Sequence, residues 1–318
     1  MERGTFLAAL GALSAIGQPV AAPAAGAPTV IHAASSIDDD ATPFLYAMQG
    51  GVFRRYGIEA ELQRATSGSA VAAGVVGGAF ELGKSSITSL CAAHARGVPL
   101  VAIAPGGEYD NNLPPQIGLI VRADGPLKSG ADLNGRTVGV SALNDFFSLA
   151  ARAWTDAHGG DSTTIKLTEI PMSQARVAVE AGRIDAAIVV QPFFQTAVAD
   201  PKIRVIGDPS SALGTHFMQS TWFTSIDFAA KNPDTIDRFM RAMREASTYV
   251  NGHHAETADL VTKFMKVDAA PAMTTRIPQG VRFNPAQMQS LIDIQARYKM
   301  IPLAFDVHDL IYPPALRA

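Results

Sequence analysis

Short β-rich runs alternate with stretches of helical spacing through most of this chain, and that cadence constrains the fold more than any other feature. Strands that alternate with helices build parallel sheets joined by crossover helices. Residues 29–34 form a β-rich run. Residues 43–55 follow with Phe44, Leu45, Met48, Val52 and Phe53 at helical spacing. Residues 58–62 alternate like a strand, 69–76 read as a small-residue helix stopped at Gly77-Gly78, and 80–83 and 100–104 read as strands. The cadence then returns: strand 136–140, helix 146–157, strand 165–170, helix 173–181 closed by Gly182, strand 184–190. A helix starting after Asn232-Pro233 carries Ile236, Phe239, Met240, Met243 and Val250 on one face. Helical patterns near 256–265 and 286–298 complete the chain.

One stretch occurs twice. Ser67 to Gly83 runs serine, small-residue helix, glycine, acid (Glu81), strand; Ser173 to Val190 repeats it with Asp185 as the acid. Two lobes built on one plan would produce this echo, although helix–Gly–strand is also common in α/β chains. A length of 318 residues suits two lobes of roughly 100–200 residues each. The expected division is an export segment at 1–27, a first lobe from 28–118 and 218–318, and a second lobe from 119–217. The crossings fall near 111–121, after Pro114-Pro115, and near 213–224.

The export reading rests on the first residues. A short polar start, an apolar stretch over 6–17 too short to span a bilayer, and small-residue sites such as Ala22-Pro23-Ala24 have the form of a signal peptide. Arg3 lacks the second arginine of a twin-arginine signal, so the route stays open. The single cysteine, Cys91, excludes an internal disulfide and is too far along the chain to carry a lipid anchor. It sits in a helical stretch, 87–95, as core filler. The mature chain is therefore expected to be soluble in the periplasm and not a lipoprotein. A net charge of −3 without a basic stripe argues against nucleic acid.

Four stretches carry a resemblance: GVFRRYGIEAEL at 51–62, LNGRTVGVS at 133–141, GRIDAAIVVQPF at 182–193 and FAAKNPDTIDRF at 228–239. In order and spacing the chain resembles the periplasmic solute-binding proteins of the nitrate, sulfonate, taurine and thiamine-pyrimidine-precursor uptake group. The resemblance implies an α/β, two-lobed type 2 periplasmic binding fold, each lobe a mostly parallel sheet flanked by helices. It also implies a small-molecule ligand in the cleft between the lobes and an ABC permease with its ATPase as partners. A monomer is expected.

In open α/β sheets ligands bind beyond the carboxyl ends of the strands, where helix N-termini present free N–H groups. That rule selects Ser35, Ser36 and Asp38 after the first strand, Thr66, Ser67 and Ser69 after the second, and Ser85 and Ser86 after the third. From the second half it selects Ser141, Asn144 and Gln191. Ser85 and Ser141 are expected on opposite walls of one pocket. Helix capping and ligand contact both fit each hydroxyl. Lys84 departs from the small or apolar residue the resemblance implies at that strand end. It either meets an anionic ligand group or, the favoured reading, pairs with Asp38-Asp39-Asp40 or lies in solvent. Aromatic candidates for stacking are Tyr109, Phe146, Phe147, Phe193 and Trp222, most of them expected in the core.

Catalytic signatures are weak. Residues 139–143 lack the closing glycine of a nucleophile elbow. No phosphate-loop motif occurs, Gly74 to Gly78 misses the dinucleotide spacing, and His253-His254 with Glu256 is not a zinc motif. No enzyme activity, cofactor or metal is expected. The ligand expectation is a small organic anion, or a heterocyclic or aromatic compound. The alternatives are an enzyme resembling the fungal pyrimidine-precursor synthase, whose Cys-rich iron motif this chain lacks, and an exported ligand sensor.

Overall fold

Runs such as Leu100–Pro105 and Ala186–Val190 are apolar on both faces, which suits strands covered by helices on either side. The computed structural model describes residues 27–36, 38–65, 67–265 and 275–317. The expected export segment lies outside them except for residue 27.

The strands are β1 (Thr29–Ser35), β2 (Ile58–Arg64), β3 (Leu82–Ser86), β4 (Leu100–Pro105), β5 (Glu108–Asp110) and β6 (Ile117–Arg122). They continue as β7 (Thr137–Val140), β8 (Lys166–Glu169), β9 (Ala186–Val190), β10 (Ile203–Gly207), β11 (His216–Met218) and β12 (Ser220–Ser225). The helices are α1 (Thr42–Gln49), α2 (Val52–Arg55), α3 (Gly68–Val76), α4 (Ile87–His94), α5 (Phe146–Ala157) and α6 (Met172–Glu180). After them come α7 (Phe193–Val198), α8 (Ile226–Lys231), α9 (Pro233–Gly252), α10 (His254–Thr257), α11 (Leu260–Met265) and α12 (Pro285–Arg297).

Two five-stranded sheets result, in the orders β2-β1-β3-β12-β4 and β10-β6-β9-β7-β8. Read from opposite ends they are one plan, with β1, β2, β3, β4 and β12 in the places of β7, β8, β9, β10 and β6. Each sheet has one antiparallel strand, β12 in the first and β6 in the second. These two strands follow the chain's crossings from sheet to sheet. At the crossings β5 and β11 pair as a two-stranded ribbon. This is the two-lobed α/β architecture that the cadence implies.

The echoed segments occupy equivalent places. Glu81 Oε2 accepts the backbone N–H of His32 at 2.7 Å, just before β3 meets β1. Asp185 Oδ2 accepts that of Thr137 at 2.8 Å, just before β9 meets β7. In both lobes the acid satisfies a donor at a strand edge that would otherwise lack a partner.

Local spacing misplaces some boundaries. The expected helix over 43–55 is two helices, because Gly51 adopts φ 74°, a left-handed conformation that breaks the turn. The third strand runs on to Ser86, since β12 arrives from residue 220 and pairs Trp222 with Lys84 and Ser220 with Ser86. The helical pattern near 256–265 is divided into α10 and α11. Cys91 is fully buried in α4, and burial raises its thiol far above the ordinary range.

Candidate functional site

The carboxyl ends of β1, β2 and β3 in one sheet face those of β7, β8 and β9 in the other across a cleft of about 450 Å³. Ser36, Asp38, Ser67, Ser69, Lys84, Ser85, Ser86 and Ser141 all line it. Thr66 falls outside the described residues.

The first wall is a serine-rich shelf over a buried ion network. Ser67 caps α3 by accepting the Ala70 N–H at 3.3 Å, and Ser86 caps α4 by accepting the Ser89 N–H at 3.2 Å. Ser85 caps neither helix; its hydroxyl donates to the Ser86 carbonyl at 3.2 Å. Gly68 lets α3 approach β3, because a Cβ there would stand 2.8 Å from that of Ser85. Beneath them lies Lys84, 1% exposed. Its Nζ donates to Asp38 Oδ1 at 2.8 Å and ion-pairs with Asp40, whose other oxygen accepts from the Ser220 hydroxyl. Burial pulls the Lys84 ammonium below the ordinary lysine range, and the Asp38 charge opposes that shift. The pairing reading of Lys84 describes this geometry.

The second wall is acidic and aromatic. Ser141 does not cap α5; it donates to Asp145, and the Asp145 carboxylate accepts the Ser148 N–H at 3.0 Å in a reciprocal capping box. Glu169, ending β8, accepts the Leu143 N–H at 3.0 Å. Burial pushes the Asp145 carboxyl up to about 6, with the neighbouring Glu169 charge adding a smaller push. Phe146, Phe147 and Phe193 supply the apolar surface, together with Ile170, Met172 and Ile277.

Several expected contacts lie elsewhere, Ser35 among them, which is buried and donates to the Ser36 carbonyl. Tyr109 is in the core at the β5–β11 ribbon, stacked on Phe217 at 4.9 Å and donating to Asp208 at 3.0 Å. Phe217 also lies 5.9 Å from Phe146, so this aromatic row links the ribbon to α5. Asn144 is exposed and does not line the cleft. Gln191 is fully buried and donates through Nε2 to Thr275 Oγ1 at 3.0 Å. Trp222 is likewise buried core, stacked on Phe44.

Sequence reasoning passed over Arg64, Asp145, Glu169 and Ser220, all of which line the cleft. Glu169 and Arg64 are the last residues of strands, so the strand-end rule was signal enough for them. Asp145 immediately precedes a helix beginning with two phenylalanines, which is an N-cap signal.

A family model described as NMT1/THI5 like matches residues 38–257. The chain belongs to the NMT1/THI5-like family. This NMT1/THI5-like chain is similar to the crystal structure of the periplasmic aliphatic sulphonate binding protein from Escherichia coli. The TM-score is 0.70 at 21% identity, covering 90% of this chain and 92% of that one. It is also similar to the ligand-binding component of an ABC-type import system from Staphylococcus aureus, crystallised with zinc bound. There the TM-score is 0.78 at 11% identity, over 91% and 98% of the two chains. A Saccharomyces cerevisiae 4-amino-5-hydroxymethyl-2-methylpyrimidine phosphate synthase is 24% identical over 221 residues, which is 65% of this chain and 62% of the synthase. The fold is thus the periplasmic-binding fold.

The capping carboxylate of this NMT1/THI5-like protein makes stability depend on pH. A folded pKa of about 6 lies above the value near 4 of an unfolded aspartate. The native state therefore holds the proton longer. Its advantage is complete below pH 4 and is lost as pH rises through 6, a loss of about 2–3 kcal/mol. Asp145→Asn keeps an N-cap of similar quality without the titration. Urea unfolding at pH 4 and pH 7.5 is expected to show wild type losing about 2 kcal/mol more than the variant across that interval. Equal losses would contradict the assignment.

Proposed function

We propose that this chain is the substrate-binding component of an ABC-type importer. It captures a small organic anion or a heterocyclic or aromatic compound in the periplasm, delivers it to a membrane permease and its ATPase, and catalyses nothing. The observation that carries the reading is the cleft: strand ends and helix N-termini of two like sheets converge on one cavity with an aromatic wall. Residues 28–118 and 218–318 make one lobe and 119–217 the other, and the site consists of the lining residues described above. Among the described residues no helix is long and apolar enough to cross a membrane.

Likeness to the yeast synthase favours a second reading, an enzyme on the same fold. The iron chemistry expected of that type calls on cysteines, and Cys91, the only one, is locked in the core with its thiol held protonated. The binding reading is therefore preferred.

Binding between lobes should be coupled to hinge closure, because a ligand that touches both walls stabilises the closed form selectively. The test begins with mass spectrometry of the ligand released from protein purified out of its native periplasm. Small-angle scattering and thermal melts of the stripped protein with that ligand restored follow. A smaller radius of gyration and a raised melting temperature are expected. Turnover of the released compound, or its binding without compaction, would count against the reading.

A further inference from the structure

The expected ligand classes differ in charge, and the lining charges discriminate between them. The described cleft residues include four carboxylates, Asp38, Asp40, Asp145 and Glu169, and two cations, Lys84 and Arg64. Lys84 is already neutralised: it is buried between Asp38 and Asp40 and has no charge left for a ligand. Arg64, exposed like Glu169, is the one lining cation without an ion pair among the described residues, and it stands against carboxylates on both walls. Helix N-termini add roughly half a positive charge each. Those of α3 and α4 already spend an N–H on Ser67 and Ser86, and that of α5 faces the Asp145 carboxylate. The balance stays negative.

Two acceptor atoms remain open. Asp38 gives Oδ1 to Lys84, and Glu169 gives Oε1 to the Leu143 N–H. Neither Asp38 Oδ2 nor Glu169 Oε2 receives a hydrogen bond from any described residue. One stands on the wall after β1 and the other at the end of β8, so the two reach into the cleft from opposite lobes. Their sister oxygens are tethered, which orients both groups before a ligand arrives. Phe147 and Phe193, half-buried on the lining, supply aromatic surface that can shelter an apolar body and favour a nearby cation.

We propose that the cleft selects a solute carrying a cationic, N–H-bearing head on a compact ring-sized body, with the head held between Asp38 and Glu169. This rests on the solute-binding reading above and narrows its ligand to a protonated amine or amidine on such a body. A sulfonate or carboxylate placed there would meet carboxylates on both walls. A cationic head bridging the lobes would also draw them together.

Three probes of nearly equal shape separate the possibilities: benzamidine, benzamide and benzenesulfonate. Calorimetry and thermal melts at pH 8 on the stripped protein are expected to rank benzamidine at least 10-fold above benzamide, with benzenesulfonate inert. Glu169→Gln should lower benzamidine affinity about 10-fold and change the melting temperature of the free protein little, because a glutamine amide oxygen can still accept the Leu143 N–H. Asp38→Asn should do the same to affinity, and its circular dichroism would confirm that it folds. Tighter binding of benzenesulfonate than of benzamidine would overturn the cationic assignment and leave the solute-binding reading intact. Benzamidine binding untouched by both substitutions would overturn the seat between these two carboxylates. Failure of all three probes would overturn the inference, while closure on the periplasm-derived ligand would still decide the solute-binding reading independently.

Discussion

Lys84→Met is expected to cost about 3–5 kcal/mol of folding stability, because it strips the counter-charge from two carboxylates the fold has already removed from water. Asp40 and Lys84 are both nearly fully buried and Asp38 is largely so. Methionine fills much of the lysine's volume, so the loss reports charge rather than a cavity. The triple replacement Lys84→Met, Asp38→Asn, Asp40→Asn should recover most of the loss, since a buried ion network replaced as a unit is often neutral. Urea unfolding of the single and triple variants measures both values. A single-variant loss below 1 kcal/mol would mean that the ammonium does not compensate these carboxylates.

Arg276→Ala is expected to have an effect of similar size, through the segment that spans the two lobes. Arg276 Nε donates to Asp39 Oδ1 at 2.7 Å, and its other nitrogens reach Thr42 Oγ1 and the His254 carbonyl. Both charged side chains are almost wholly buried. Asp39 Oδ2 also accepts the Ile277 N–H at 2.7 Å, so one carboxylate fastens two consecutive residues of this segment. From there the chain reaches both sides of the cleft. Thr275 donates to the Pro115 carbonyl at the crossing and accepts from Gln191 beyond β9, and Ile277 lines the cavity. Removing the guanidinium leaves Asp39 charged and buried, which costs about 3–5 kcal/mol. The same variant should bind its ligand more weakly, because Asp39, which accepts the Ile277 N–H, loses the guanidinium that fixes its position. Unchanged unfolding free energy would refute this anchoring role, and unchanged affinity in a destabilised variant would confine the role to stability.

Gln191 shows why some expectations failed. Its position after a strand suggested a ligand contact, but the amide is taken by Thr275, a residue 84 positions away. Tyr109 met a similar fate: its partner Asp208 and its stacking neighbour Phe217 arrive only after the chain has passed through the second sheet. The serines fared differently. Ser67 and Ser86 satisfy N–H groups three residues ahead, and both also line the cleft, so capping and ligand access coincide in one position.

By itself the sequence determined the α/β class, the doubled lobe plan and the strand ends that meet at the cleft. Each of these is written in local periodicity, in glycine and serine stops, and in an acid repeated before two equivalent strands. Only the tertiary structure decided that Lys84 is spent on Asp38 and Asp40, that β3 runs on to Ser86 beside β12, and that Asp145 and Glu169 make the facing wall acidic. The physical reason is range. Periodicity and capping act over a few residues and are read along the chain, whereas burial and charge pairing depend on groups that become neighbours only when two sheets close on one cleft.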